Sequence, residues 1–303
     1  MKQRIATAAV LIPLALLIVG STSPLPISIA AIAMAAIGVY ELAGMFSKGR
    51  VLPVLTLGSL ALPFYSIFVL KNHQPADFLL LSGILFVAAV SLLTYSARHT
   101  KFTSSVYDFG GLWISMPLLA LIALHELHLP AFGFPGRPAW QFASPALIAL
   151  VPVWAGDTAA IFVGKAIGRH PLSRISPGKT WEGAVGNLIA AVLASWGIGV
   201  LTQIPLTIAL VCGVLAGVLG QCGDLFQSYL KRRAGVKDSG RLLPGHGGLL
   251  DRIDSVLFAA VPIAIVVYFG PSWLFKLHAG SSNPSTPQSI RVNEKGARIV
   301  GGG

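Results

Sequence analysis

Charge is what this chain has least of. Asp, Glu, Lys and Arg make up 11% of its 303 residues, about half the fraction usual in a soluble domain. Hydrophobic residues make up 54%, and mean hydropathy is +0.74. An ordinary soluble globular protein is excluded. Cysteine is scarce as well. Cys212 and Cys222 lie ten residues apart on one expected helix, a rise of about 15 Å that forbids a bridge between them. A disulfide framework and a thiolate metal cluster are excluded, and both thiols are read as packing residues. The alternating ten-residue segments of a membrane β-barrel are missing too. Acidic residues number 11 against 22 basic ones. The resulting +11 does not imply a nucleic-acid partner, because basic residues gather in the cytoplasmic loops of membrane proteins whatever those proteins do.

What the chain has instead is a series of continuous apolar runs of membrane length. They fall near residues 5–20, 25–46, 51–70, 77–96, 109–126, 143–165, 183–203, 206–230 and 249–270. The expected fold is therefore all-α, a polytopic transmembrane helical bundle of about nine spans. The first run resembles a secretory signal, but no clear small-residue cleavage site follows, so it is read as a retained helix. Placing the N-terminus in the cytoplasm puts most of the lysines and arginines on the inner side. Two long polar loops, 166–182 and 231–248, then lie inside as well. Three regions follow from the distribution of ionisable groups. Residues 1–140 form scaffold helices, 141–270 a catalytic half packed with them, and 271–303 a polar tail whose Ser/Pro/Gly-rich part from Gly280 reads as disordered.

Charges beside bilayer-length apolar runs are costly and mark function. Asp251 and Asp254 stand three apart, on one face of the last span, at a helix N-terminus that favours carboxylates. Asp224, in GQCGDLFQS, lies near the end of the preceding span. The two spans are antiparallel neighbours, so Asp224 and Asp251 can meet at one depth. Either Arg252 or a cation must offset Asp224. A hard divalent ion such as Mg²⁺ suits carboxylates that share a site with phosphate oxygens. The loop between them offers Lys231, Arg232, Lys237 and Arg241 for phosphates. Its run from Pro244 to Gly248 has backbone N–H groups able to line an anion, and it includes His246, a phosphate donor or a structural residue.

The other loop carries Arg174, Ser176, Lys179, Thr180 and Glu182. It is not a P-loop, because Ser173 stands where GxxxxGK[ST] needs its first glycine. Its hydroxyls and lysine still suit phosphate contacts. Asp157 reads equally as a ligand, a substrate contact or a helix-packing group. Glu41 is either a buried hydrogen-bonded group or part of a lipid-facing groove, and is not assigned to catalysis. Gly213, Gly217 and Gly220 suit close helix crossing.

The stretch Ser228-x-Leu-Lys-Arg-x4-Lys237-Asp238-x-Gly-x2-Leu-Pro-x-His246-Gly-Gly-x2-Asp251-Arg252-x-Asp254 resembles the signature of the phosphatidate cytidylyltransferases (CDP-diacylglycerol synthases). The GDLF and SPGKTWEG segments are similar to that family too, so the likeness covers about residues 157–255. One departure is Gln227, where many relatives carry Glu. The resemblance implies condensation of CTP with phosphatidic acid to CDP-diacylglycerol and pyrophosphate, Mg²⁺ often accompanied by a monovalent cation such as K⁺, and a homodimer. It implies a metal held by Asp224 and Asp251, with Asp254 and Lys237 also in the reacting centre. Ser176, Lys179, Thr180, Glu182, Ser228, Lys231, Arg232, Asp238, His246 and Arg252 would bind substrate. The membrane would be the bacterial cytoplasmic one, with the site facing the cytoplasm. A CTP-dependent lipid kinase and an ion-coupled transporter are the competing readings. The transporter would place its carboxylates at mid-bilayer in broken helices, not beside a basic loop.

Overall fold

Long runs of Leu, Ala, Val and Ile without polar interruption satisfy their backbone groups only as helices once water is absent, and the chain folds accordingly. The computed structural model describes residues 13–21, 23–46, 76–96, 102–127, 144–202, 204–242 and 247–279. Seven helices follow in order: α1 (Pro24–Phe46), α2 (Ala76–Ser96), α3 (Phe102–His125), α4 (Leu147–Ile167), α5 (Trp181–Thr202), α6 (Leu206–Arg233) and α7 (Leu250–Ala279). Residues 13–19 are also helical. Among the described residues there is no strand, and an isolated bridge pairs Pro171 with Thr180.

Five helices are long and apolar enough to cross a membrane: α1, α4, α5, α6 and the Leu250–Gly270 part of α7. In α2 and α3 the apolar stretches are shorter, Leu79–Tyr95 and Phe109–His125. The expected run at 51–70 lies outside the described residues. α3 begins at Phe102, before the expected 109, and α7 continues to Ala279. The first nine residues of the expected polar tail, 271–279, are therefore helical, and the rest of that tail is outside the described residues.

The chain divides into two units, residues up to Tyr268 and those from Phe269 onward. In the first unit α4 packs on α5 and α6, α5 on α6, and α3 on α1 and α2. The part of α7 up to Tyr268 contacts α1, α2 and α6. Leu250 lies against Gly38 of α1, and Ile265 and Val261 lie against Gly83 of α2. Phe258 stands edge-on to Phe86 at 5.4 Å and tilted on Phe226 at 5.3 Å. Leu257, Ala259, Ala260, Ile263 and Ala264 are wholly buried. On α5, by contrast, Val185, Ile189, Leu193, Trp196 and Val200 are exposed. Their three- and four-residue spacing makes one apolar face, fit for acyl chains.

Small residues set the closest approaches. A Cβ on Gly213 would meet the Val192 Cα at 2.6 Å, and one on Gly217 the Leu188 Cα at 3.0 Å. Both glycines thus serve the α5–α6 crossing as the sequence implied. Gly220 has more room, 3.6 Å to Ser255. The tighter α6–α7 contact is at Gly223, where a Cβ would collide with the Asp254 carbonyl oxygen and lie 3.1 Å from the Phe258 Cβ. Gly223→Ala should therefore push α6 off α7 and cost about 1–3 kcal/mol, read as a lower unfolding midpoint in detergent. An unchanged midpoint would show that the crossing is loose. Cys212 is buried as a packing residue, but Cys222 is exposed, which corrects its assignment to packing.

Candidate active site

The loop between α4 and α5 is a short hairpin. Leu172 N–H donates to the Lys179 carbonyl at 2.8 Å, Trp181 N–H to the His170 carbonyl at 2.9 Å, and Lys179 N–H to the Ser176 carbonyl at 3.1 Å. Thr180 caps α5, its Oγ1 accepting from Gly183 N–H at 3.1 Å, as hydroxyl residues do at helix starts. Glu182, in the first turn, reaches back to the hairpin. Its Oε2 accepts from the N–H groups of Arg169 (3.1 Å) and His170 (3.3 Å), and its Oε1 lies 2.7 Å from His170 Nδ1. Thr180 and Glu182, expected on substrate, thus brace the loop that carries Lys179. The braced loop delivers the Lys179 ammonium to 2.6 Å from Asp224 Oδ2.

The second loop leaves α6 through Lys231, Arg232 and Arg233, cations well placed at the negative end of a helix dipole. The chain turns at Gly235, whose φ of +72° suits the left-handed residue after a helix. Arg232 Nη1 donates to the Val236 carbonyl at 3.3 Å. Lys231 instead points at α7 and donates to Asp251 Oδ1 at 2.7 Å, with side chains only 13% and 7% exposed. Asp251 Oδ2 accepts two backbone N–H groups, from Ser239 at 2.9 Å and Gly248 at 3.2 Å. Lys237, Asp238 and Arg241 line the loop in exposed positions, and Arg252 is exposed on α7. Ser228 is buried in α6 and Ser176 half-buried in the hairpin. His246, with residues 243–245, lies outside the described residues.

Between the loops, Asp157, Asp224 and Asp254 lie within electrostatic reach of one another, and Asp251 is linked to them through Lys231. Asp224 on α6 lies close enough to Asp157 on α4 and Asp254 on α7 for its charge to act on both. Lys179 acts on Asp157, and Lys231 on Asp254. Asp157 Oδ1 also accepts from Asn187 Nδ2 at 3.3 Å, and Asp254 Oδ1 accepts from Ser255 N–H at 2.9 Å. Asp224 is thus ion-paired with Lys179, which reaches it from the other loop. Gln227, one turn beyond Asp224, is fully buried, and an amide there adds no further negative charge to the group.

Two residues outside the expected set contribute. Asn187 has no distinguishing signal in an apolar helix. Glu41 had one, as an ionisable group inside a membrane-length run. It proves to be the buried hydrogen-bonded alternative, with its carboxylate on Ser239, Leu249 and Leu250.

Comparison with known proteins decides the lineage. The sequence profile of the cytidylyltransferase family matches residues 2–269. The chain belongs to the cytidylyltransferase family. It is 37% identical over 291 residues to the phosphatidate cytidylyltransferase of Pseudomonas aeruginosa, covering 90% of this chain and 98% of that protein. The enzyme of the same name from Helicobacter pylori is 35% identical over 245 residues, 78% and 82% of the two chains. That from Bacillus subtilis is 34% identical over 271, 85% and 94%. With five helices of membrane-crossing length and apolarity, this cytidylyltransferase is an integral membrane enzyme. The acidic cluster and its two braced lysines fall within the matched span.

Proposed function

We propose that the enzyme condenses CTP with phosphatidic acid, releasing pyrophosphate and leaving CDP-diacylglycerol in the bilayer. The observation that carries this reading is the meeting of two cation-bearing loops at carboxylates of the bundle, Lys179 on Asp224 beside Asp157 and Asp254, and Lys231 on Asp251. Both reactants are anions. Their approach needs fixed positive charge, and the α-phosphorus of CTP must be presented in line to a lipid phosphate oxygen. Lys179 and Lys231 are held in place for that work. Exposed Lys237, Arg241 and Arg252, with Arg232, His246, Ser176 and Ser228, complete the phosphate contacts. The phosphatidate phosphate is already ionised at neutral pH, so attack requires no general base.

The donor set fits Mg²⁺. It is all oxygen, its carboxylates outnumber the lysines paired with them, and a small dication that keeps several waters needs only one or two protein carboxylates. Asp224 has one oxygen on Lys179 and is 35% exposed. Asp251 retains a lone pair on Oδ1 beside Lys231. These two residues would hold the ion, with Asp254 beside Asp224. Among the described residues no group of three or more His, Cys, Asp or Glu is placed to hold a metal ion, so an ion at this site would take its remaining ligands from CTP and water. When bound, the ion would offset charge on the triphosphate and on the departing pyrophosphate. K⁺ is the expected monovalent companion. We further propose nine spans with the N-terminus in the cytoplasm, the site facing the cytoplasm at the bacterial inner membrane, and a homodimer.

The test is product analysis with purified enzyme, labelled CTP, phosphatidic acid and Mg²⁺. Pyrophosphate and CDP-diacylglycerol in equal amounts are expected. Release of CDP with a phosphorylated lipid would instead identify a CTP-dependent kinase and overturn the proposal.

A further inference from the structure

Glu41 sits in α1, in the half of the chain that lacks the signature, and is 6% exposed. All three of its hydrogen bonds described here go to one segment. Oε1 accepts from Leu249 N–H at 2.8 Å, and Oε2 accepts from Leu250 N–H at 2.9 Å and the Ser239 hydroxyl at 3.0 Å. Leu249 and Leu250 open α7, where N–H groups have no acceptor within the helix and the dipole welcomes a carboxylate. Ser239 lies at the other end of the same segment. One side chain therefore ties both ends of the stretch from Ser239 to Leu250.

The glycines of the segment accommodate this carboxylate. A Cβ on Gly240 would lie 2.6 Å from Glu41 Oε1, and one on Gly248 would collide with Ser239 Oγ and Glu41 Oε2. Asp251 grips the segment from its other side, through Ser239 N–H and Gly248 N–H. Ser239 is thus held twice, its N–H by Asp251 and its hydroxyl by Glu41. Gly247, at φ +84°, turns the chain between them. Whatever moves Ser239 or Gly248 changes where Asp251, and Lys231 bonded to it, can point.

We propose that Glu41 is a positioning residue for nucleotidyl transfer: from α1 it straps both ends of the 239–250 segment and so fixes the aim of Asp251 and Lys231. The inference rests on the proposed place of Asp251 and Lys231 in the reaction centre. Glu41 touches no reactant.

The principal test is Glu41→Gln, nearly isosteric. The amide keeps one acceptor oxygen and sets its NH₂ against at least one of the donors that Glu41 receives. Two readouts are needed. Tryptic cleavage after exposed Lys237 and Arg241, measured without substrate on protein of parental helicity and elution, should accelerate about tenfold as the strap opens. Turnover should fall by about 10–100-fold, the scale of a 1 Å misplacement. The KM for phosphatidic acid should stay within about twofold of the parent, and the Mg²⁺ needed for half-maximal rate should rise. Parental turnover, or lost turnover with parental cleavage rates, would overturn the proposal.

Gly240→Ala presses on the strap from the loop side with α1 untouched, and serves if Glu41→Gln folds poorly. It should reproduce both effects. In a Glu41→Ala background it should add little, since the carboxylate it meets is gone. Additive losses would show that the two do not act through one contact. An inactive parent enzyme would sink the functional reading and the positioning role with it, whereas parental cleavage rates in an enzyme that turns over would sink the strap alone.

Discussion

Asp224→Asn will lower cytidylyl transfer by about 10³-fold or more, the equivalent of the several kcal/mol that charge stabilisation at a phosphoryl centre supplies. The same variant will be at least as stable as its parent. Asp224 acts repulsively on Asp157 and Asp254, so removing its charge relieves both. The lysine left behind, Lys179, keeps 23% of its side chain in solvent and retains the field of Asp157. Loss of rate with an equal or higher unfolding midpoint is the signature of a group kept for chemistry at the expense of stability. The measurement is initial rate across a Mg²⁺ series, paired with thermal unfolding in detergent. Near-parental turnover would remove Asp224 from the reaction centre.

Asp251→Asn is expected to fail differently. Lys231 and Asp251 are a largely desolvated pair, 13% and 7% exposed. Removing one member of such a pair strands the other's charge and costs about 3–5 kcal/mol. The two backbone bonds to Oδ2 constrain which way the amide can face, because Ser239 and Gly248 both offer N–H. Turnover should vanish and the unfolding midpoint should drop. A double variant, Asp251→Asn with Lys231→Met, discharges the stranded ammonium. It should regain most of the stability and none of the activity. A single variant as stable as the parent would show that water reaches the pair and screens it.

The helices were legible because a bilayer-length apolar run has few alternatives. α6 starts at Leu206 as read, and α4 and α5 lie within a few residues of their expected positions. Asp224, Asp251 and Asp254 were legible because carboxylates beside such runs need a reason. Their partners were not. The sequence offered Arg252 or a cation as the counter-charge for Asp224, and the structure adds Lys179, brought in by packing between α4, α5 and α6. Thr180 and Glu182 show a second limit. The residue types that suit phosphate contacts also suit a helix start, and the structure uses them at the start of α5. Glu41 shows a third. Its burial could be suspected from hydropathy, but only packing between the beginning and end of the bundle reveals what it holds.

The tie from Glu41 to Ser239 joins residues 198 apart in the chain. At the usual pace of translation, about 5–20 residues per second, the acid emerges roughly 10–40 s before its acceptor segment exists. During that interval a newly inserted helix carries a carboxyl group with none of the donors it will later engage. Biogenesis therefore includes a waiting period between synthesis of α1 and completion of its contacts. No nascent chain released before α7 is threaded can have a complete reaction centre.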